Sequence, residues 1–239
     1  MTVPHGTSDR MADLEAEVAA LKADNARLRR LLDEEGMPDS LRHAFRDTVA
    51  LLRAVMRCTA GSAIDVESYD AHLGGRLDIF VRVRSLTDTL GEADLHTLVA
   101  DELATYLVYE GEQATISGPK VWLRPKPAQV FALALHELAT NAIEHGLLGR
   151  SVGAVSVTWQ IEQNEGVPTL ELLWKETGAG TRVEPSRRGF GTMVVEDMLA
   201  YDLGASAELT YEPHEVRCRI RFPLDAETGR FAEDGAGST

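Results

Sequence analysis

The sequence predicts an α+β protein: an N-terminal coiled coil, a helical hairpin that completes its core as a four-helix bundle in a dimer, and a C-terminal two-layer α/β sandwich. Three observations predict it. Apolar residues repeat in heptads near the N-terminus. They recur at helical spacing through residues 41–90. From Ala93 onward helix-period and strand-period segments alternate.

Residues 1–10 are polar and aperiodic and read as a disordered terminus. In the next segment Met11, Leu14, Val18, Leu21, Asn25, Leu28 and Leu32 alternate spacings of three and four, the a/d seam of a coiled coil over 11–35. Asn25 falls at an a position, where it pairs best with its own copy and fixes a two-stranded register. Glu17 and Asp24 at g face Lys22 and Arg29 at e, so the pairs between chains are opposite in sign. The alternative is a single amphipathic helix packed on its own domain.

Gly36-Met37-Pro38 breaks the helix, and Asp39 or Ser40 caps the next. Residues 41–60 place Leu41, Phe45, Leu52, Val55 and Met56 on one broad face. A second helix runs over 66–90 with Tyr69, Leu73, Leu77, Phe80, Val81 and Val83 on its apolar side, and Gly74-Gly75 weakens it. A two-helix hairpin cannot bury both faces alone, so this segment (39–91) is expected to pair with a second copy. The remainder (92–224) reads as a helix over 93–109, strand pieces at 113–117 and 121–123, and a helix from Pro127 to His145. Strands at 153–162 and 169–175, a loop over 176–188, a helix from Gly191 to Tyr201 and strands at 206–211 and 216–222 complete it. The tail, 225–239, is small and polar and reads as disordered.

Composition narrows the function. Asp and Glu number 38 against 24 Lys and Arg, a net charge of −14, which argues against a phosphate backbone as the main ligand and so against nucleic acid. The longest apolar run, Val130 to Leu135, is far too short for a bilayer, and no leader is expected at the start. Cys58 and Cys218 build neither a disulfide framework nor a four-cysteine zinc site. A reduced, cytoplasmic protein is expected.

The segment Leu135-His136-Glu137-Leu138-Ala139-Thr140-Asn141-Ala142 carries the most chemistry. On a helix Glu137 and Asn141 share a face one turn apart, and a carboxylate stacked on an amide suits a hydrated Mg²⁺ bound to substrate phosphates. A Glu and an Asn satisfied by backbone would look identical. Two glycine groups follow. Glu176-Thr177-Gly178-Ala179-Gly180 comes after a strand, and Arg187-Arg188-Gly189-Phe190-Gly191 precedes a helix. Glycines admit a ligand to the backbone and a helix start favours phosphate, while an acid after a strand can accept from an exocyclic amine.

This order and these motifs resemble the ATP-binding domain shared by gyrase, Hsp90, histidine kinases and the mismatch-repair ATPase. Within it they resemble the HWE class of bacterial sensor histidine kinases, named for a His (His136) and a Trp-x-Glu (Trp174-Lys175-Glu176). The Gly189-Phe190-Gly191 motif and the final strand ending Phe222-Pro223-Leu224 match as well, and the resemblance covers about residues 40–224. It implies that Asn141 holds Mg²⁺ on the ATP phosphates and that Glu137 sits in the same metal and water shell. Glu176 would recognise adenine N6, and Gly178, Gly180, Gly189 and Gly191 would pass close to the nucleotide. His145 and Phe190 would line the same site. The phosphoacceptor would be His43, in the first hairpin helix, and the hairpin would serve dimerisation and phosphotransfer. The partners implied are a homodimer mate, a response regulator receiver domain and an upstream sensor protein or domain.

His43 also has a reading of its own. A neutral imidazole beside Arg42 and Arg46 can attack phosphorus, and Asp47 one turn on is placed to hold the other ring N–H. Two departures stand out. The family's His-Arg-x-Lys-Asn is here His43-Ala44-Phe45-Arg46-Asp47, and its Lys-Tyr-Gly after the Asn motif is here Glu144-His145-Gly146. Glu144 cannot supply the cation that a Lys would bring to the γ-phosphate, so Arg187 or Arg188 substitutes or transfer is slow. Competing readings are a phosphorelay protein with a weakened nucleotide site and a non-enzymatic coiled-coil adaptor.

Overall fold

The structure is a computed structural model that describes residues 19, 22–24, 26–27, 39–62, 65–144, 146, 148, 153–163, 166–178 and 189–232. The chain divides into two compact units, residues 1–54 and 55–239. In the first, residues 19, 22–24 and 26–27 are helical and exposed. The heptad seam, Asn25 included, lies outside the described residues, as do the Gly180, His145, Arg187 and Arg188 positions.

Helix α1 (Asp39–Ser62) runs from the first unit into the second. His43 and Asp47 fall on it one turn apart; their side chains lie outside the described residues. In the second unit its inward residues are Val55 and Thr59, while Met56, expected inside, is exposed.

Helix α2 (Val66–Leu90) starts at a capping box: Asp65 accepts from the Ser68 backbone N–H at 2.8 Å, and Ser68 Oγ accepts from the Asp65 N–H at 3.2 Å. It stops at Gly91, whose φ of 75° lets its N–H reach back to the Thr87 carbonyl at 2.7 Å. Its buried stripe is Arg76, Ile79, Val83 and Thr87. This corrects the expected apolar side, because Val81 is 71% exposed. The helix is turned toward a charged partner that apolar periodicity does not register.

Next come β1 (Ala93–Asp94) and α3 (Leu95–Thr105), which is capped by Asp94 on the Thr97 N–H. Strands β2 (Ala114–Ser117) and β3 (Val121–Leu123) precede helix α4 (Pro125–Glu144). Nearly every residue of α4 from Pro127 to Ala139 is buried, since α2 and α3 pack against it and its Phe131 meets the sheet. Strands β4 (Ala154–Glu162) and β5 (Thr169–Thr177) follow. Helix α5 (Phe190–Met193) then passes through a π-helical stretch, Val194–Met198, into α6 (Leu199–Leu203). Strands β6 (Ser206–Glu212), β7 (Glu215–Pro223) and β8 (Gly229–Phe231) end the described chain.

The main sheet has the order β2-β4-β5-β7-β6, with β2 parallel to β4 and the other pairs antiparallel. Strict alternation turns Val155, Val157 and Trp159, Leu170, Leu172 and Trp174, and Cys218, Ile220 and Phe222 to the helices. Phe131 of α4 meets Phe222 with ring centroids 5.7 Å apart. The other face carries cross-strand charge pairs such as Arg221 with Glu171 and Glu162. One layer of helices on one sheet is the expected sandwich.

Two further expectations are corrected. The loop over 176–188 was expected to begin at Glu176, but β5 continues through Thr177, so Glu176 is a strand residue. The tail was expected to be disordered from Asp225, but a turn at 225–228 leads into β8, which pairs with β3 in a second sheet of order β1-β3-β8. The Arg230 guanidinium lies 4.1 Å over the Trp122 ring and also pairs with Glu92.

Candidate nucleotide site

Helix α4 builds the first wall. Its Leu135 and Leu138 are buried in the core, and along another face Glu137, Asn141 and Glu144 follow one another at helical spacing. Glu137 is 5% exposed. Its carboxylate accepts from the Arg76 Nε–H at 2.7 Å and from an Nη2–H at 2.9 Å, a bidentate pair. Asn141 is half-buried. Glu144 lies 3.4 Å from His72 Nε2.

Helix α5 supplies the second wall. A Cβ added at Gly191 would sit 2.7 Å from Asn141 Nδ2 and 3.3 Å from Glu137 Oε2, so only glycine lets this turn close on α4. Phe190 is buried beside it with the Arg76 guanidinium 3.8 Å from its ring centroid. Gly189 is the N-cap, and a Cβ there would meet nothing within 4 Å, so steric necessity singles out Gly191 of the pair. Four sequence-selected positions thus come together, Glu137, Asn141, Phe190 and Gly191, with Gly189 as the helix cap beside them.

The third element is the floor of β5. Trp174 and Glu176 are two apart and so point the same way. The Trp174 indole N–H donates to Glu176 Oε1 at 3.2 Å, which orients a carboxylate that is 2% exposed. Burial, and behind it the Glu176 charge, pushes the neighbouring Cys218 thiol up to about 12. Gly146, just past α4, is a close-approach point: a Cβ there would lie 2.6 Å from Glu176 Oε2 and 2.5 Å from Ala142 Cα. Gly178 continues the ladder, its N–H donating to the His214 carbonyl at 3.3 Å.

His136 belongs to another network. Its Nδ1 lies 2.7 Å from Glu102 Oε1 and 3.2 Å from the Tyr106 hydroxyl. Tyr106 reaches Thr140 at 2.8 Å, and Glu102 is paired in turn with Arg82 of α2. The network ties α2, α3 and α4 together, so His136 fixes packing. Burial pushes the Tyr106 phenol up to about 12 against the pull of Thr140, with Glu102, Glu137 and Glu144 adding to the rise.

Sequence reasoning missed Arg76 and gave Gly146 no role beyond its place in the Glu144-His145-Gly146 motif. Gly74-Gly75 inside a helix was the available signal for the first, because a Cβ at Gly75 would lie 3.2 Å from the His136 ring, marking where α2 approaches α4. Among the described residues, no group of three or more His, Cys, Asp or Glu side chains is placed to hold a metal ion. Asn141 and Glu137 are the side chains here that would offer an oxygen to a Mg²⁺ held chiefly by phosphates, and Glu137 is paired with Arg76 in this structure. No helix among the described residues is long and apolar enough to cross a membrane.

No family model matches the chain. It is 31% identical over 193 residues to blue-light-activated histidine kinase 1 of Erythrobacter litoralis, covering 77% of this chain and 52% of that one. It is 24% identical over 187 residues to a blue-light-activated histidine kinase of Brucella ovis, covering 77% and 38%. The chain therefore spans about half, or less, of the length of these curated relatives. Among solved structures it resembles the histidine kinase domain of the Erythrobacter litoralis EL346 protein, with TM-score 0.51, 18% identity, and 74% of this chain and 96% of that one covered. The longer EL346 structure gives TM-score 0.54 at 14% identity over 80% and 62%. In sequence the chain is thus similar to blue-light-activated histidine kinases and in fold to histidine kinase domains, and it carries the motif residues His136, Trp174 and Glu176 of the HWE class.

Proposed function

We propose that the chain is an ATP-dependent protein-histidine kinase of a two-component system, phosphorylated on His43 and passing the phosphoryl group to an aspartate of a response regulator receiver domain. The observation that carries this is the closure of Gly191 onto Asn141 and Glu137, with the Trp174-oriented Glu176 at the adjoining floor. Helix α4 and the start of α5 then take the phosphates, and Glu176 accepts from the adenine amine. Mg²⁺, when bound, neutralises charge on the phosphates. Residues 92–224 form the ATP-binding part and 39–91 the dimerisation and phosphotransfer hairpin, with 11–35 as a parallel coiled coil.

In the first step a ring nitrogen of His43 attacks the γ-phosphorus. The bond from that phosphorus to the bridging oxygen breaks and ADP leaves with the electron pair. Asp47 would hold the other ring N–H, offset the positive charge that grows on the ring and accept that proton, returning it when the phosphoryl group leaves. In the second step a carboxylate oxygen of the regulator attacks, and the N–P bond breaks. The test is incubation with γ-labelled ATP and Mg²⁺, followed by acid and base treatment. An acid-labile, base-stable label that His43→Ala removes supports the reading. A full label on His43→Ala refutes the acceptor, and no ATP binding favours the relay or adaptor alternative.

A further inference from the structure

We propose that α2 holds this kinase in an inhibited state, with Arg76 as the latch on Glu137 and Phe190, and that Mg·ATP turnover requires the latch to open. The proposal rests on the kinase reading above.

Residues Glu137, Asn141 and Glu144 share the face of α4 that the reading gives to the nucleotide. Helix α2 lies along that face and engages both of its acids, Glu137 through Arg76 and Glu144 through His72. The Glu137 contact is bidentate and buried. Both carboxylate oxygens are taken by Arg76, and the two side chains are 7% and 6% exposed. A third guanidinium nitrogen, Nη1, donates to Thr59 Oγ1 at 2.8 Å, and the Thr59 hydroxyl donates to the Val55 carbonyl at 2.7 Å. The same guanidinium lies over the ring of Phe190, the central residue of the Gly-Phe-Gly turn.

A carboxylate that is to hold a catalytic water, join a magnesium shell or accept a proton needs an oxygen free for the task. Both Glu137 oxygens are already engaged by the guanidinium in this arrangement. A guanidinium fastened to Glu137 and Phe190 also ties the phosphate turn to α2, so movement of that turn around a nucleotide must break the stack. Directly before Arg76, Gly74 and Gly75 form the locally weakest part of α2, and they are the natural place for it to yield. Opening would return Glu137 to the site and leave a guanidinium, a strong phosphate ligand, at its rim.

A merely structural ion pair and a latch respond in opposite directions. Weakening a structural pair lowers melting temperature and activity together. Weakening a latch lowers melting temperature but raises nucleotide affinity and rate. Thr59→Val removes one anchor of Arg76 and leaves Glu137 and the turn untouched, and Arg76→Gln removes the latch itself. The experiment titrates a fluorescent ATP analogue with Mg²⁺ into the full chain and measures the initial rate of labelling from γ-labelled ATP. We expect about threefold tighter binding and faster labelling for Thr59→Val and about tenfold for Arg76→Gln, beside a lowered melting temperature in both. If Arg76→Gln does not fold, Thr59→Val decides alone. Folded variants that bind and label no better than the wild type overturn the latch while leaving the kinase reading intact. A wild-type chain that binds no analogue overturns the kinase reading and the latch with it.

Discussion

Trp174→Phe isolates the indole N–H that orients Glu176. The ring remains aromatic and the strand position is unchanged, but the donor 3.2 Å from Glu176 Oε1 is lost from a side chain only 1% exposed. Leaving a buried carboxylate short of a donor costs about 1–3 kcal/mol, and the smaller ring leaves a cavity worth roughly 1 kcal/mol. The sum is about 3 kcal/mol, which for a unit of this size lowers the melting temperature by about 10 °C. The second effect is on specificity. A carboxylate free to turn selects an adenine amine less well, and a loss of ~1.4 kcal/mol in that preference is about tenfold in the ratio of ATP to GTP affinity. Trp159→Phe is the control, because its indole N–H donates at 2.7 Å to the Pro119 carbonyl, away from Glu176. It should lower stability but keep the ATP to GTP ratio. Calorimetric titration of both nucleotides and a thermal melt measure all four quantities. If Trp174→Phe melts lower while its ATP to GTP ratio equals the wild type's, the indole does not orient Glu176 for recognition.

Three further outcomes are expected. Gly191→Ala drives a methyl to 2.7 Å from Asn141 Nδ2 and should weaken Mg·ATP binding about tenfold or more, read by titration; unchanged affinity would remove Gly191 from the site. Glu144→Lys replaces an acid that pairs with His72 by a cation, which loosens α2 and favours phosphate, and should speed labelling up to about tenfold; an unchanged initial rate would show that the acid is idle. Tyr106 is neutral below its pKa, and in the folded protein that value, about 12, lies above the ordinary phenol value of 10.0, so its contribution to stability is complete below pH 10 and is lost as pH rises through 12. Absorbance titration of the native protein should show one phenol ionising late, and Tyr106→Phe should remove it.

The order of the site along the chain was legible because its parts are local motifs. Glu137 with Asn141, Trp174 with Glu176, and the Gly-Phe-Gly turn each announce themselves within a few residues. Strands β4 and β5 were legible from strict alternation, but β5 was ended early because Glu176 is an acid at an inward position, where periodicity expects an apolar residue. The same blindness misplaced the buried face of α2. Arg76 reads as a surface residue until its partner 61 positions away is known. Strand β8 offers a single large apolar residue, Phe231, and becomes a strand only through β3, more than a hundred positions earlier. Local chemistry carried the motifs; long-range charge and pairing carried what was missed.

The small sheet gives the α/β part a mechanical property. Its first strand, β1, and its last, β8, flank the same central strand, β3. With neighbouring strands about 4.8 Å apart, the two ends emerge roughly 10 Å from each other. Arg230 spans the gap by clasping Glu92 directly before β1. A neighbouring domain joined at either end therefore pulls on one clasp, and a circularly permuted chain could be sealed there with a short linker. Tension entering from α2 is delivered to the strand that the tail holds shut.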